Sequence, residues 1–188
     1  MLPITLALAK IFNKKSSITI YGLDITYKSK IYQVIFIPLI KKCDNVIAIS
    51  EATKEECIKQ GIDERKIKVI PCGINPNEFL LKENKQELRK IIEKQYNINL
   101  KNKKTLLTNG RLVKRKGIEW FISNVFSRLD KNYIYLLSGE GPERENIEQA
   151  IKNNNLEQKV FLLGRTTTET LKILYNLADI FIMPNIHV

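Results

Sequence analysis

Short apolar runs alternate with amphipathic stretches along the whole chain. Brief apolar runs are typical of strands buried in a parallel sheet, and apolar residues three or four positions apart are typical of helices. The predicted strands are residues 17–21, 45–49, 66–70, 104–108, 133–138, 159–163 and 179–183. The predicted helices are residues 3–12, 27–41, 51–60, 118–129, 143–153 and 168–177, with one more between 75 and 104. This order predicts an α/β fold, in which parallel sheets carry helices on both faces.

Local signals mark where two of these helices begin and where one ends. Ser50 is a good N-cap for the third helix, and Gly61 is expected to end that helix. Asn84 with Glu87 resembles a capping box, which predicts the start of the helix in the polar stretch before the fourth strand.

That polar stretch predicts a boundary between two α/β series. We expect residues 1–75 and 104–188 to form two partial Rossmann-like parallel-sheet domains, with residues 76–103 as a linker region. The chain opens on a helix without a preceding strand and closes soon after an apolar strand. A doubly wound sheet does not normally end with a buried strand and no covering helix, so we expect a fragment truncated at both ends.

The composition indicates the charge of the binding partner but not its chemical class. The 188 residues carry a net charge of +11 and are 44% hydrophobic, which is enough apolar content for a packed core. The positive charge favours an anionic partner: nucleic acid, an anionic membrane surface or a phosphorylated small molecule. Lysines are mixed with Glu and Asn along the chain, and the interleaving of basic and aromatic residues seen in single-strand binders is not evident.

The cysteines and the N-terminus indicate a reduced compartment. Cys43, Cys57 and Cys72 lack C-x-x-C spacing and, with the single His187, do not make a plausible zinc site, so we expect free thiols in a cytoplasmic protein. The first ten residues lack the basic region and cleavage site of a signal peptide and are expected to form a buried helix. The apolar run 31–40 is far shorter than the roughly 20 residues of a membrane span.

The loop over residues 110–117 carries the strongest chemical signal. It joins an apolar strand to an amphipathic helix and contains Arg111, Lys116 and Gly117. Strand-to-helix loops at the carboxyl end of a parallel sheet are where α/β domains bind ligands, and Arg with Lys suits a diphosphate. The alternative is a solvated, lysine-rich loop, which basic runs usually are.

Six spaced segments carry a family resemblance. They are residues 46–54, 66–74 with Phe79, 110–117, 138–142, 160–164, and 174–175 with 178–181 and Pro184. Taken together, in this order, they resemble the middle of a GT-B glycosyltransferase of family 4, which transfers a sugar from a nucleotide sugar with retention of configuration. The resemblance covers the end of the acceptor-side domain, the linker and the first half of the donor-binding domain.

The resemblance implies a nucleotide-binding role for three short segments. Arg111 and Lys116, with Gly117 in the same loop, would hold the donor diphosphate. Gly139 and Gly141 would let the backbone approach the nucleotide, although an ordinary turn explains them equally well. The candidates bordering the base or ribose are Gly164, Arg165 and Thr166. Residues 166–168 are equally consistent with a simple helix cap.

Two departures from the family pattern concern catalysis. Many relatives carry a His where this chain has Tyr21, and a phenol does not take up a proton near neutral pH as an imidazole does. Tyr21 and Asp24 are weak catalytic candidates, and for Asp24 a capping role at the strand end is the favoured alternative to contact with substrate. The two glutamates of the family lie beyond Val188, so the catalytic residues are not identified in this chain.

The resulting expectation is a hexosyltransferase or another glycosyltransferase that is inactive as this chain alone. No D-x-D motif is present to hold a metal, so a metal-independent reaction is expected, with the nucleotide sugar as donor substrate and no cofactor. The acceptor would be a glycan or a lipid-linked glycan, with peripheral association at the inner face of a membrane left open. The alternatives are a non-catalytic remnant and, less favoured, a basic nucleic-acid-binding module.

Overall fold

The computed structural model describes residues 2–27 and 29–186, so the interpretation of His187 lies outside the described residues. The chain divides into two compact units, Met1–Ile74 and Asn75–Val188. Both units are α/β and both sheets are parallel, which confirms the predicted fold class. Among the described residues, no helix is both long and apolar enough to cross a bilayer.

The first unit contains a three-stranded sheet in the order β1-β2-β3. Its strands are β1 (Ser17–Ile20), β2 (Asn45–Ala48) and β3 (Ile67–Val69). Its helices are α1 (Leu2–Ile11), α2 (Leu23–Thr26), α3 (Lys30–Lys41) and α4 (Glu51–Lys59), with a 3-10 turn at Glu64–Lys66. Ser50 accepts a hydrogen bond from the Thr53 N–H at 3.1 Å, so it is the predicted N-cap of α4.

The core of the first unit forms where alternate strand residues meet helices α3 and α4. Ile20, Val46 and Ala48 are fully buried there, together with Ile40 and Cys57. Burial of alternate strand positions on one face is what the two-residue period of a strand dictates. The three cysteines are free, as expected from their spacing.

Helices α1 and α3 differ from the predictions. None of the residues of α1 is buried, and Ile4 and Ile11 are 66% and 72% exposed, so the expectation of a buried helix is wrong. The predicted helix over 27–41 begins only at Lys30, because residues 23–26 form a separate short helix after the positive-φ Gly22. The apolar content of the first residues thus predicted that α1 is a helix. It did not predict whether other elements of the fold bury that helix.

The second unit contains a four-stranded sheet in the order β6-β5-β4-β7. Its strands are β4 (Lys104–Asn109), β5 (Tyr133–Ser138), β6 (Val160–Gly164) and β7 (Ile180–Phe181). Its helices are α5 (Lys85–Tyr96), α6 (Ile118–Asn124), α7 (Arg144–Asn153) and α8 (Thr168–Leu177). Three 3-10 turns cover Pro76–Glu78, Lys114–Lys116 and Phe126–Arg128, so the predicted helix over 118–129 is broken after Asn124.

Both faces of the second sheet are covered by apolar side chains. One cluster contains Leu106, Tyr135 and Leu137 with residues of α6 and α7. The opposite cluster contains Leu107 and Leu136 with residues of α5 and α8. Since neighbouring strand residues point to opposite faces, the continuous apolar runs of β4 and β5 follow from burial on both sides.

Helix α5 belongs to this second unit and does not form a separate linker. Its start is a complete capping box, in which Asn84 and Glu87 exchange hydrogen bonds as predicted. Leu88 and Ile92 are buried in the core with Leu107, which explains why the polar stretch is packed against the sheet. The segment 76–103 that was expected to link two domains therefore lies within the unit that begins at Asn75.

Asp179, just before β7, joins three elements of this unit. Its carboxylate is paired with Lys85 at 2.6 Å and Arg89 at 3.0 Å on α5, and it accepts the Thr105 N–H of β4 at 2.7 Å. Burial by itself would raise the pKa of Asp179, but the hydrogen bonds from Lys85 and Thr105 and the charges of Lys85 and Arg89 hold it below its ordinary value.

Candidate functional site

A cavity of about 520 Å³ opens at the carboxyl ends of β4, β5 and β6. Its lining residues follow these strands or come from helix α8: Asn109, Arg111, Ser138, Gly139, Glu140, Arg165, Thr166 and Leu171. Parallel strands end at one edge of the sheet, so three loops distant in sequence meet there. The cavity combines two guanidinium groups with one carboxylate and several uncharged hydrogen-bonding groups, and the excess of positive charge suits an anionic polar ligand.

Two glycines allow the loops after β4 and β5 to pack directly on each other. A Cβ atom on Gly139 would lie 2.0 Å from the carbonyl oxygen of Gly110, and one on Gly141 would lie 2.2 Å from that of Leu112. Gly110 and Leu112 also donate their N–H groups to the carbonyls of Ser138 and Glu140, at 2.9 and 3.0 Å. Contact between the two loops is therefore enough to explain why positions 139 and 141 are glycine.

Arg111 lies between these two backbone hydrogen bonds. The bonds made by Gly110 and Leu112 fix the loop on both sides of it, and the Arg111 side chain borders the cavity. Within the described part of the chain, its exposed guanidinium forms no hydrogen bond or salt bridge. An unpaired guanidinium on a fixed loop is suited to bind an anion with two parallel hydrogen bonds.

Lys116 lies on the other side of β4 from this cavity. Its half-buried ammonium is 3.1 Å from the sulfur of Met183, which follows β7. Strand β7 pairs with β4 on the side opposite β5, so Arg111 and Lys116 share the carboxyl end of the sheet but not the lining of one cavity. Gly117 has a φ of 63°, and a Cβ atom there would collide with Pro184 and Ile186.

Arg165 and Thr166 line the cavity, and Gly164 contacts the loop after β5. Gly164 adopts a φ of 70° and its carbonyl accepts the N–H of Gly139 at 2.8 Å. The Thr166 hydroxyl is hydrogen-bonded to that of Ser138 at 2.7 Å, and the exposed Arg165 borders the cavity. The cap of helix α8 is Thr167, whose hydroxyl accepts the Thr170 N–H at 3.2 Å. The side chain of Thr166 is therefore not used as a helix cap.

Glu140 and Asn109 line the cavity but were not predicted. The Glu140 carboxylate is paired with Arg144 at 2.7 Å, and Arg144 also contacts Glu148 at 2.9 Å, so one guanidinium is shared by two carboxylates and offsets the charge of Glu140 only in part. Asn109 is the last residue of β4 and donates to the hydroxyl of Tyr175 at 3.2 Å. Its position at a strand end is the only sequence signal that could have identified it.

Tyr21 and Asp24 belong to the first unit. Tyr21 is 62% exposed, and its N–H donates to the Asp24 carboxylate at 2.8 Å. Asp24 therefore caps the turn after β1, as its alternative interpretation expected. In the part of the chain that the structure describes, no group of three or more His, Cys, Asp or Glu side chains is placed to hold a metal ion.

The parallel sheets and the cavity at the strand ends define an α/β protein of the class that binds ligands at the carboxyl edge of its sheet. Comparison with known families identifies which one. The sequence model of the family glycosyl transferases group 1 matches residues 89–187, which is more than half of the chain. The sequence model of glycosyltransferase family 4 matches residues 2–78. The chain belongs to the glycosyl transferases group 1.

Relatives by sequence are also glycosyltransferases. An uncharacterized glycosyltransferase of Methanocaldococcus jannaschii is 35% identical over 147 residues, which cover 76% of this chain and 36% of the relative. The O-antigen chain mannosyltransferase RfbU of Salmonella typhimurium is 25% identical over 78% of this chain and 37% of its own length. The chain thus spans little more than a third of the length of these relatives.

Solved structures show the same fold. Anabaena HepE in complex with UDP and glucose superposes with a TM-score of 0.81 at 19% identity, covering 98% of this chain and 50% of that one. Sucrose-phosphate synthase from Thermosynechococcus elongatus gives a TM-score of 0.72 at 21% identity, covering 98% and 48%. Both comparisons support the GT-B architecture predicted from the sequence.

Proposed function

We propose that the second unit binds the nucleotide diphosphate of a sugar donor in the cavity at the ends of β4, β5 and β6. The observation that carries this proposal is the unpaired Arg111 on a loop fixed by two backbone hydrogen bonds. Solved structures of the same fold support it, since HepE was crystallised with UDP and with UDP-glucose. Gly139, Gly141, Gly164, Arg165 and Thr166 border the nucleoside in this proposal.

The proposed reaction is transfer of the sugar with retention of configuration and without a metal. Such transfer passes through an oxocarbenium-like state while negative charge gathers on the departing diphosphate. Arg111 stabilises that charge through two parallel hydrogen bonds, and Lys116 reaches it by rotating its flexible side chain away from Met183. These cations take the place that a divalent ion has in metal-dependent transferases.

A glycan or a lipid-linked glycan is the proposed acceptor. The support is the name of the Salmonella relative, an O-antigen chain mannosyltransferase. A lipid-linked acceptor would bring the protein to the inner face of a membrane as a peripheral protein.

Titration of the 188-residue chain with UDP-, GDP- and ADP-sugars tests the proposal. Arg111→Ala should weaken binding of the preferred nucleotide sugar about tenfold, because it removes a charge-assisted contact to phosphate. Arg128→Ala is the matched control, since Arg128 is an exposed cation in the turn that leads toward the amino end of β5. Equal losses in both variants would indicate nonspecific charge attraction, and unchanged binding by Arg111→Ala would place the diphosphate elsewhere.

A further inference from the structure

The hydroxyl of Tyr175 makes its hydrogen bond with a residue of the cavity. It accepts the side-chain N–H of Asn109 at 3.2 Å, and Asn109 lines the cavity from the end of β4. An amide has one donor end and one acceptor end, so a partner on the nitrogen leaves the Asn109 oxygen free to accept another hydrogen bond. The described residues supply no other hydrogen-bond partner for this amide.

Aromatic contacts hold the ring of Tyr175 in place. The Phe79 ring lies 6.0 Å away edge to face, and the Phe181 ring of β7 lies at 5.8 Å. Tyr175 is 38% exposed, and these two rings pack against the side chain that brings its hydroxyl to Asn109.

Phe79 is itself anchored to the helix that carries Tyr175. The Asn176 amide donates to the Phe79 carbonyl and accepts the N–H of Leu81 at 3.4 Å. The Lys172 ammonium lies 5.9 Å from the centre of the Phe79 ring. The ring cluster of Phe79, Tyr175 and Phe181 is thus fixed from α8, from β7 and from the segment that begins the second unit.

We infer that Tyr175 is a positioning residue for the donor: its hydroxyl restrains the Asn109 side chain at the cavity, where the Asn109 oxygen accepts a hydrogen bond from a hydroxyl of the bound nucleotide sugar. This inference rests on the proposed function of the cavity. Without the tyrosine hydroxyl the Asn109 side chain loses this restraint and samples other rotamers, so its hydrogen bond to the ligand is weakened. Tyr175 touches no ligand itself.

The test is a double-mutant cycle on nucleotide-sugar binding. Tyr175→Phe keeps the ring cluster and removes the hydroxyl, and it should weaken binding of UDP-glucose, or of whichever nucleotide sugar the wild-type chain prefers, about three- to tenfold. Asn109→Ala should weaken binding by at least as much. In the Asn109→Ala background, Tyr175→Phe should cause no further loss, because its effect passes through that amide. Tyr133→Phe, a half-buried tyrosine at the amino end of β5, is the control and should bind like wild type.

Amide spectra give a readout that does not depend on binding strength. In ¹H–¹⁵N spectra of the free protein, Tyr175→Phe should shift the Asn109 side-chain signals while the backbone signals of β5 stay in place. Normal binding by Tyr175→Phe while Arg111→Ala is impaired would overturn this inference and leave the proposed function standing. Additive losses in the double variant would also overturn it. Absence of nucleotide-sugar binding by the wild-type chain would overturn both.

Discussion

Gly139 has two reasons to be glycine, and they are separable by experiment. Its φ of 134° is rarely adopted by residues with a side chain, and a Cβ atom there would overlap the carbonyl of Gly110. Gly73 has neither constraint, since a Cβ atom added there meets nothing within 4 Å. The two positions therefore form a natural pair for comparison.

Gly139→Ala should lower the free energy of unfolding by about 3–5 kcal/mol, because steric overlap adds to about 1–3 kcal/mol of backbone strain. Gly73→Ala should be neutral or stabilise by up to about 1 kcal/mol, since it restricts only the unfolded chain. Urea unfolding followed by circular dichroism measures both. Equal stability of the two variants would mean that the loops after β4 and β5 can separate at little cost.

Some residues of the cavity could be predicted from the sequence and others could not. Arg111 could be predicted, because a basic residue in a strand-to-helix loop is a local pattern. Asn109 and Glu140 were not, because their place in the cavity depends on which loops meet and on the register of β4 and β5. The contact of Lys116 with Met183 likewise depends on β7 pairing beside β4, which no local pattern encodes.

At the scale of elements, the spacing of apolar residues predicted the order of helices and strands. It did not predict which face of each element is covered by other elements. The capping box at Asn84 and Glu87 is local, and the structure confirms it. The exposure of α1 is a tertiary property, and its apolar residues predicted burial that does not occur in the first unit. Assigning α5 to the second unit likewise required knowing that Leu88 and Ile92 meet Leu107.

Asp179 connects α5, β4 and β7, and its lowered pKa makes this connection dependent on pH. A carboxylate whose pKa falls on folding stabilises the native state above its unfolded pKa of about 3.9 and loses that effect as pH falls through the native value. Asp179→Asn should therefore lower the free energy of unfolding by about 1–3 kcal/mol at pH 7, because Lys85 and Arg89 lose their partner.

The difference in stability between wild type and Asp179→Asn should shrink as the pH is lowered below about 4. Urea titrations at pH 3 to 7 measure it. Asp130→Asn is the control, since its exposed carboxylate forms no salt bridge among the described residues. A difference that is constant across this range would show that the ion pairs with Asp179 do not contribute to folding.

For the whole molecule, the net charge of +11 predicts nucleotide binding that is sensitive to salt. Salt screens the attraction between exposed cations and a phosphate group over a distance of about 8 Å at physiological ionic strength. The affinity for a nucleotide sugar should therefore fall several-fold between 50 and 500 mM salt. Calorimetry at the two salt concentrations measures the affinity.

Binding that does not change with salt would contradict a site that relies on exposed cations such as Arg111.

The position of β4 inside its sheet has a consequence for synthesis on the ribosome. β4 pairs with β5 soon after both have been made, but its other edge is filled only when residues 180 and 181 pair with Leu106 and Leu107. At about 5–20 residues per second, that edge stays open for a time on the order of several seconds. An apolar strand with an unpaired edge can recruit strands of neighbouring nascent chains, so slow translation after β5 should favour aggregation of this protein.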